Sequence, residues 1–223
     1  MSSSPRREIK TRDKKWAQNL AKFVATKTNL TPNMISVLSV FFAILACCAY
    51  CLYRTDFIPV KYSFVIPILA ILFMQLRLLC NLLDGMVAIE GGKKSAVGDI
   101  YNEFPDRLSD SFIIIGAGIA GGTEISLILS LVAALLAMFT AYTRLLGGAV
   151  GVKQYFSGPM AKQHRMALLT IFTLICVISP IKPDINIQVY PIALAVIIAG
   201  CIVTVWRRVS YIARDLKEKN SEQ

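Results

Sequence analysis

Acidic and amide side chains stand between residues 81 and 110 of a sequence that is otherwise very hydrophobic. Asn81 and Asp84 are three residues apart and therefore share one face of a helix. Asn102, Asp106 and Asp110 follow at intervals of four and share a face of a second helix. Two helices that both present oxygen ligands can hold a hard cation, and the absence of histidine and cysteine ligands favours Mg²⁺, Mn²⁺ or Ca²⁺ over zinc. The spacing predicts a site for such a cation.

Small residues stand beside these oxygen ligands. Gly85 and Ala88 remove bulk next to Asp84, and Gly98 does so before Asn102. Small residues let a flat or phosphorylated ligand approach the backbone, and a cation beside such a gap indicates phosphoryl chemistry. The alternative is a structural motif without a ligand, in which Asp and Gly cap a helix end before a tight turn.

The elements that must position these residues are membrane helices. Of the 223 residues, 55% are hydrophobic and the mean hydropathy is +0.58, whereas a soluble domain is about 45–50% apolar. A span needs about 20 apolar residues, and six runs qualify: 34–53, 63–82, 104–121, 125–147, 166–182 and 187–206. The sequence therefore predicts an all-α integral membrane protein, a six-transmembrane-helix bundle. Asn81 and Asp84 would close its second span, and Asp106 would open its third.

The basic residues predict how the bundle is oriented. The net charge is +10, and Lys and Arg are concentrated before the first span, between spans two and three, between spans four and five, and in the tail. This places both termini and the 81–106 stretch in the cytoplasm, and it explains the charge without a nucleic-acid partner. The chain is then divided into a basic cytoplasmic or interfacial segment at 1–33, a six-span membrane domain at 34–206 and a basic cytoplasmic tail at 207–223.

Residues 6–27 combine basic side chains with three apolar ones at helical spacing, Trp16, Leu20 and Phe23. Such a pattern is typical of an amphipathic helix on an anionic lipid surface. The fold prediction therefore includes an N-terminal surface amphipathic helix, with a solvated basic tail as the alternative.

The polar stretch resembles the signature of the CDP-alcohol phosphotransferases, DxxDGxxARx8GxxxDxxxD. Every spacing of that signature is kept here, and the LTPN of residues 30–33 just before the first span is also similar to the family. The resemblance covers most of the chain. Eight positions match the signature, and we call them the family frame: Asn81, Asp84, Gly85, Ala88, Ile89, Gly98, Asn102 and Asp106.

The resemblance implies a role for each position. Asn81, Asp84, Asn102 and Asp106 would hold Mg²⁺ or Mn²⁺, and Asp106 would also be the base that deprotonates the acceptor alcohol. Gly85, Ala88 and Gly98 would line the nucleotide pocket, with Asn33 nearby. The implied reaction moves a phosphatidyl group from CDP-diacylglycerol to a small alcohol or polyol and releases CMP. The implied setting is a homodimer in a bacterial inner membrane.

A second basic cluster lies further along the chain, at Arg144, Lys162 and Arg165. A pocket between the helix ends that carry these residues would bind a phosphate or polyol group of the acceptor. The alternative is that they only mark the cytoplasmic side of the membrane.

Three positions depart from the signature, because Asn81 and Asn102 replace acids and Ile89 replaces an arginine. The four frame positions then carry two formal negative charges instead of four, which favours one tightly held cation. Arg77, one turn before Asn81, is predicted to hold a donor phosphate and to replace the arginine that is absent at position 89. Its alternative roles are an ion pair with Asp84 or a tether to lipid headgroups.

Two other classes of protein remain open at this point. The chain would also fit a non-catalytic relative that binds a nucleotide-lipid or a partner. A small cation carrier ranks last, because a carrier has no need of the small residues in this frame.

Overall fold

The computed structural model describes residues 10–55, 62–90, 96–178 and 183–221, and these form helices joined by turns and loops. No strand occurs in this part of the chain, so the all-α prediction is confirmed. A short 3-10 helix at Lys10–Asp13 comes first. The α-helices that follow are α1 Lys15–Lys27, α2 Pro32–Tyr53, α3 Val65–Glu90, α4 Gly98–Ala120, α5 Glu124–Ala149, α6 Lys162–Ile178 and α7 Pro183–Ser221.

Within the described ranges, four stretches of helix are long and apolar enough to cross a membrane: Pro32–Tyr53, Val65–Ile89, Glu124–Ala149 and Gln188–Ser221. They correspond to the first, second, fourth and sixth predicted spans, and they support an integral membrane protein. α4 has charged residues throughout its first half, and α6 has 17 residues. The count of six spans therefore stays a prediction.

The second predicted span ends at residue 82, whereas α3 continues as a helix to Glu90. The interpretation of Asp84 and Gly85 as a capped helix end is therefore wrong. Packing explains the extension, because Leu83, Met86 and Val87 are buried against Ala17 and Ala21 of α1, and tertiary packing stabilises helices beyond their apolar runs. The frame from Asn81 to Ala88 consequently lies on a continuous helix.

The described residues up to Gly116 form one compact unit. In this N-terminal unit α2 packs along α3, and α1 packs against α3. α4 approaches α2 closely at Gly116, where a Cβ would lie 2.9 Å from the Cα of Cys47. The close approach fixes α4 beside the α2–α3 pair, so the polar residues of α3 and α4 belong to the same unit.

α1 forms where an N-terminal helix was predicted. Its small residues face α3, whereas the side chains of Trp16 and Phe23 are exposed. Leu20 is partly buried against the same cluster as Ala17 and Ala21. The two exposed aromatic side chains suit a lipid surface, and the location of α1 on the membrane stays a prediction.

The residues from Ala117 onward form a second compact unit, in which α5 and α6 pack against α7. The loop before α6 is held on α7 at Gly158, whose φ is +131° and where a Cβ would lie 2.5 Å from Thr204. The Thr204 hydroxyl also accepts a hydrogen bond of 3.0 Å from the Met160 amide. α7 is a single helix to Ser221, so the basic tail that begins at residue 207 is helical over its described part.

Candidate active site

Two neighbouring helices of the N-terminal unit are joined by a buried set of polar side chains. Arg77 and Asn81 come from α3, and Asp106 and Asp110 come from α4; we call these four residues the α3–α4 polar network. The Asn81 side chain donates a hydrogen bond of 2.8 Å to Oδ1 of Asp106. Arg77 Nη2 donates one of 2.6 Å to Oδ1 of Asp110 and lies 3.5 Å from Oδ1 of Asp106. Of the four predicted cation ligands, the network contains Asn81 and Asp106.

Arg77 is fully buried, with no exposed surface. It pairs with Asp110 and Asp106 and not with Asp84, so the alternative ion pair with Asp84 is wrong. Because the side chain has no exposed surface, the structure supports neither the lipid-headgroup tether nor the predicted contact with a donor phosphate. Nε and Nη1 of Arg77 make no hydrogen bond to any described residue, and such buried donors are costly unless something pairs with them. The arginine thus supplies a fixed positive charge inside the acid cluster.

Asp106 has polar neighbours at both of its carboxylate oxygens. Its Oδ1 accepts from Asn81 and faces Arg77, while Arg107 Nη2 lies 3.7 Å from its Oδ2. Only 8% of the residue is exposed. Asp106 is therefore a largely buried carboxylate that is oriented by Asn81 and has two arginines beside it.

Asp84 is held by a residue that the sequence analysis missed. Ser36 of α2 donates a hydrogen bond of 2.8 Å to Asp84 Oδ2, and the Gly85 amide donates one of 2.5 Å to Oδ1. Both Ser36 and Asp84 are buried. No spacing rule identifies Ser36, because it lies 48 residues before Asp84; only the α2–α3 packing brings the two together.

The remaining frame positions are more open than the network. Asn102 is exposed and lies one turn before Asp106 on α4. Gly85 and Ala88 are half-buried on α3, and a Cβ on Gly98 would meet nothing within 4 Å. Ile89, at the position of the missing arginine, is 56% exposed. Open space therefore lies beside Gly98, whereas a Cβ on Gly85 would lie 3.0 Å from Nη2 of Arg12.

Asn33 lies at the start of α2 and lines a groove. The TPN sequence stabilises the start of α2. The Thr31 side chain caps the helix by accepting a hydrogen bond of 3.2 Å from the Met34 amide, and Pro32 occupies the first turn. The groove has a volume of about 440 Å³, and six of its seven lining residues are apolar or aromatic: Leu30, Met34, Val37, Leu38, Phe41 and Tyr101. It is suited to an aliphatic chain.

The basic cluster near α6 belongs to the C-terminal unit. Arg165 is buried and donates to the Met160 carbonyl at 2.8 Å and to Thr140 Oγ1 at 3.3 Å. Arg144 lies over the Phe156 ring at 5.1 Å, and Lys162 begins α6.

Arg208, which the sequence analysis counted only as part of the basic tail, joins this cluster. Its side chain is buried, donates to the Thr140 carbonyl, and donates to the Ser157 carbonyl at 2.9 Å. Two arginines of the C-terminal unit therefore meet at Thr140. Arg165 and Arg208 are 43 residues apart in the sequence, so their spacing could not predict that both contact Thr140.

The N-terminal site contains charges of both signs. Asp84, Asp106 and Asp110 are acidic, and Arg77 and Arg107 lie 3.5 and 3.7 Å from the carboxylate of Asp106. Among the described residues no group of three His, Cys, Asp or Glu side chains is arranged to hold a metal, so the side-chain oxygens of Asn81 and Asn102 would have to contribute. Asn oxygens are acceptable ligands for hard cations. Asp84 and Asp106, with these two amides, are the residues that would hold one.

The carboxylates and amides of the candidate site lie on α3, which is long and apolar enough to cross a membrane, and on its neighbour α4. Residues 29–206 match the sequence profile of the CDP-alcohol phosphatidyltransferase family. The chain belongs to this family, and it is a membrane transferase of phospholipid biosynthesis.

Two relatives illustrate the similarity. An archaetidylinositol phosphate synthase from Aeropyrum pernix is 29% identical over 160 residues, which cover 70% of this chain and 75% of that protein. The phosphatidylinositol phosphate synthase of Mycobacterium tuberculosis has the same fold, with a TM-score of 0.70 at 13% identity. Two crystal structures of that enzyme match. Each match covers 88% of this chain, and the matches cover 92% and 88% of the mycobacterial chains. One of those structures has CDP-DAG bound, and the other is a complex with manganese and citrate.

The Ser36–Asp84 contact leads to a first prediction. If Asp84 holds the cation, we expect Ser36→Ala to weaken Mn²⁺ binding by the purified protein roughly tenfold or more, because loss of a partner that orients a metal ligand typically lowers metal affinity by about 10- to 100-fold. Electron paramagnetic resonance of free Mn²⁺ measures the affinity. Ser39→Ala is the matched control, since Ser39 is equally buried on α2 but donates only to the Ser36 carbonyl of its own helix. Equal effects of both substitutions would show that Ser36 acts through packing alone.

Proposed function

We propose that this protein moves a phosphatidyl group from CDP-diacylglycerol to a small alcohol or polyol and releases CMP. The observation that carries the proposal is the buried α3–α4 polar network, because it brings together residues of the family frame at the positions expected to hold the reacting groups. A bound divalent cation, Mg²⁺ or Mn²⁺, would neutralise the diphosphate. The manganese complex of the mycobacterial enzyme supports the choice of a divalent metal.

The reaction can be written with the residues at hand. The acceptor hydroxyl gives its proton to Asp106 and its oxygen attacks the phosphorus that carries diacylglycerol. The bond from that phosphorus to the bridging oxygen breaks, and CMP leaves with the electron pair. Asn81 orients Asp106 through its hydrogen bond, and Arg77 and Arg107 keep positive charge beside the carboxylate.

Substrate binding in the proposal uses the open parts of the structure. Gly85, Ala88 and Gly98 line the nucleotide side. The groove at Asn33 takes an acyl chain of the donor, which its apolar lining suits. The proposed acceptor carries a phosphate, and Arg144, Lys162 and Arg165 are the basic residues proposed to bind it.

The proposed membrane arrangement has six spans, with α4 and α6 as the third and fifth. The active site and both termini face the cytoplasm of a bacterial inner membrane, and the protein is a homodimer. These features rest on the basic-residue distribution and on the family resemblance.

Cysteine labelling tests the proposed orientation of the protein in the membrane. In a variant without native cysteines, we expect Ala96→Cys to react only with a reagent on the cytoplasmic side and Thr55→Cys only with a reagent on the opposite side. Both positions are exposed in the structure, so reactivity reports sidedness and not burial. Labelling of both from the same side would exclude an odd number of spans between them.

The function itself is tested by supplying the purified protein with Mg²⁺, CDP-diacylglycerol and a set of alcohols that includes glycerol phosphate, inositol phosphate and serine. CMP and a new phosphodiester lipid should form in equal amounts. A non-catalytic relative would bind the donor without releasing CMP, and a cation carrier would neither bind the donor nor release CMP.

A further inference from the structure

An arginine of the N-terminal segment lies against the motif glycine of α3. A Cβ built on Gly85 would lie 3.0 Å from Nη2 of Arg12 and 3.7 Å from its Cζ. The guanidinium therefore fills the space that any side chain at position 85 would need. Gly85 directly follows Asp84, so this positive group stands beside the cation-binding acids. The contact joins residues 73 positions apart.

The segment that carries Arg12 is firmly attached to α3. The 3-10 helix at Lys10–Asp13 leads directly into α1. Ala17 and Ala21 of α1 are fully buried in the cluster that contains Leu83, Met86 and Val87. Arg12 itself is half-buried. Because α1 packs on the same helix that carries the motif, the guanidinium is held near Gly85 by the fold and not by a loose tail.

We propose that Arg12 is a donor-binding residue whose guanidinium contacts the diphosphate of the CDP-linked donor beside Gly85. The inference rests on the proposed function. Guanidinium groups bind phosphate oxygens through paired N–H···O bonds, and the missing side chain at position 85 lets both groups approach the backbone. The network already engages Arg77, and position 89 is an exposed isoleucine. Arg12 is the arginine that the structure places at the motif glycine.

Binding of CDP to the purified full-length protein, measured by calorimetry, tests the proposal directly. We expect Arg12→Ala to raise the dissociation constant for CDP by about ten- to hundredfold, the effect of losing a charge-assisted hydrogen bond. Arg12→Lys should retain part of the affinity, because lysine keeps the charge without the fork. Lys15→Ala is the matched control: Lys15 is exposed on the same segment, and its loss should leave CDP binding unchanged.

A double-mutant cycle adds a geometric test. Gly85→Ala forces the guanidinium to move by a few tenths of an ångström, so its effect on CDP binding should be smaller when Arg12 is already alanine. Full additivity of the two substitutions would contradict a shared site. If Arg12→Ala does not fold, as judged by its melting temperature in detergent, Arg12→Gln replaces it with the same expected loss.

The results of these experiments distinguish a failure of the Arg12 proposal from a failure of the proposed function. An unchanged CDP affinity in Arg12→Ala, or an equal loss in Lys15→Ala, would overturn the role of Arg12 even if the wild type releases CMP. CDP binding that depends on Arg12, in a protein that releases no CMP, would support the inference and overturn the proposed function. A wild type that does not bind CDP would overturn both.

Discussion

Asp106→Asn should lower CMP release by about 10²- to 10⁴-fold, the range for loss of a general base, while the protein stays folded. Asparagine keeps an oxygen that can accept the hydrogen bond from Asn81, and Arg77 keeps its 2.6 Å contact to Asp110. The substitution therefore removes the proton acceptor and one ionic metal ligand but little packing. Initial rates of CMP release and the melting temperature in detergent measure the two effects separately.

Asp99→Asn is the control for Asp106→Asn. Asp99 is exposed in the first turn of the same helix, and its substitution removes one negative charge without touching the network. We expect near-normal turnover from this variant. Near-normal turnover from Asp106→Asn would instead remove Asp106 from its assigned role.

Arg77→Met should destabilise the protein by about 3–5 kcal/mol, the usual cost of leaving a buried charge without its partner. Arg77 has no exposed surface, and its partner Asp110 is 2% exposed. Because methionine fills much of the volume of arginine, the loss of stability measures the removal of the charge more than the creation of a cavity. Equilibrium unfolding in detergent measures the change in the free energy of unfolding.

The double variant Arg77→Met/Asp110→Leu is the comparison that isolates the ion pair. It removes both charges, and much of the lost stability should return because no unpaired charge remains. A double variant that is as unstable as the sum of the single ones would mean that the two residues act independently.

Substitutions at Arg77 and Asn81 distinguish a site that holds one cation from a site that holds two. With one cation held at Asp84 and Asp106, Asn81→Asp should not raise turnover, because the new carboxylate would compete for Arg77. Arg77→Lys should lower turnover, because lysine keeps the charge but loses the guanidinium fork that contacts Asp110 and Asp106. A silent Arg77→Lys together with a faster Asn81→Asp would indicate a site that takes two cations.

The helices and the polar faces were predictable because both depend on local spacing. Apolar runs of about 20 residues indicate membrane helices, and intervals of three and four placed Asn81 near Asp106 through the faces of α3 and α4. The length of α3 was not predictable, since the burial of Met86 and Val87 depends on α1, a helix some 60 residues earlier in the chain.

The contacts that sequence reasoning missed all join distant segments. Ser36 meets Asp84, Arg12 meets Gly85, and Arg208 meets Arg165 at Thr140. Serine in an apolar helix and arginine in a basic segment are common, so neither residue type gives a local signal of its partner. Such pairs follow only from the packing of the helices that carry them.

The stoichiometry of the products tests most directly whether this protein catalyses CMP-releasing transfer at Asp84 and Asp106. Purified protein with Mg²⁺, CDP-diacylglycerol and the alcohol set should yield one CMP for each new phosphodiester lipid. Both products should disappear when Mg²⁺ is chelated and in folded Asp84→Asn and Asp106→Asn variants. A folded wild-type protein that binds CDP-diacylglycerol yet releases no CMP with any of these alcohols would contradict the account.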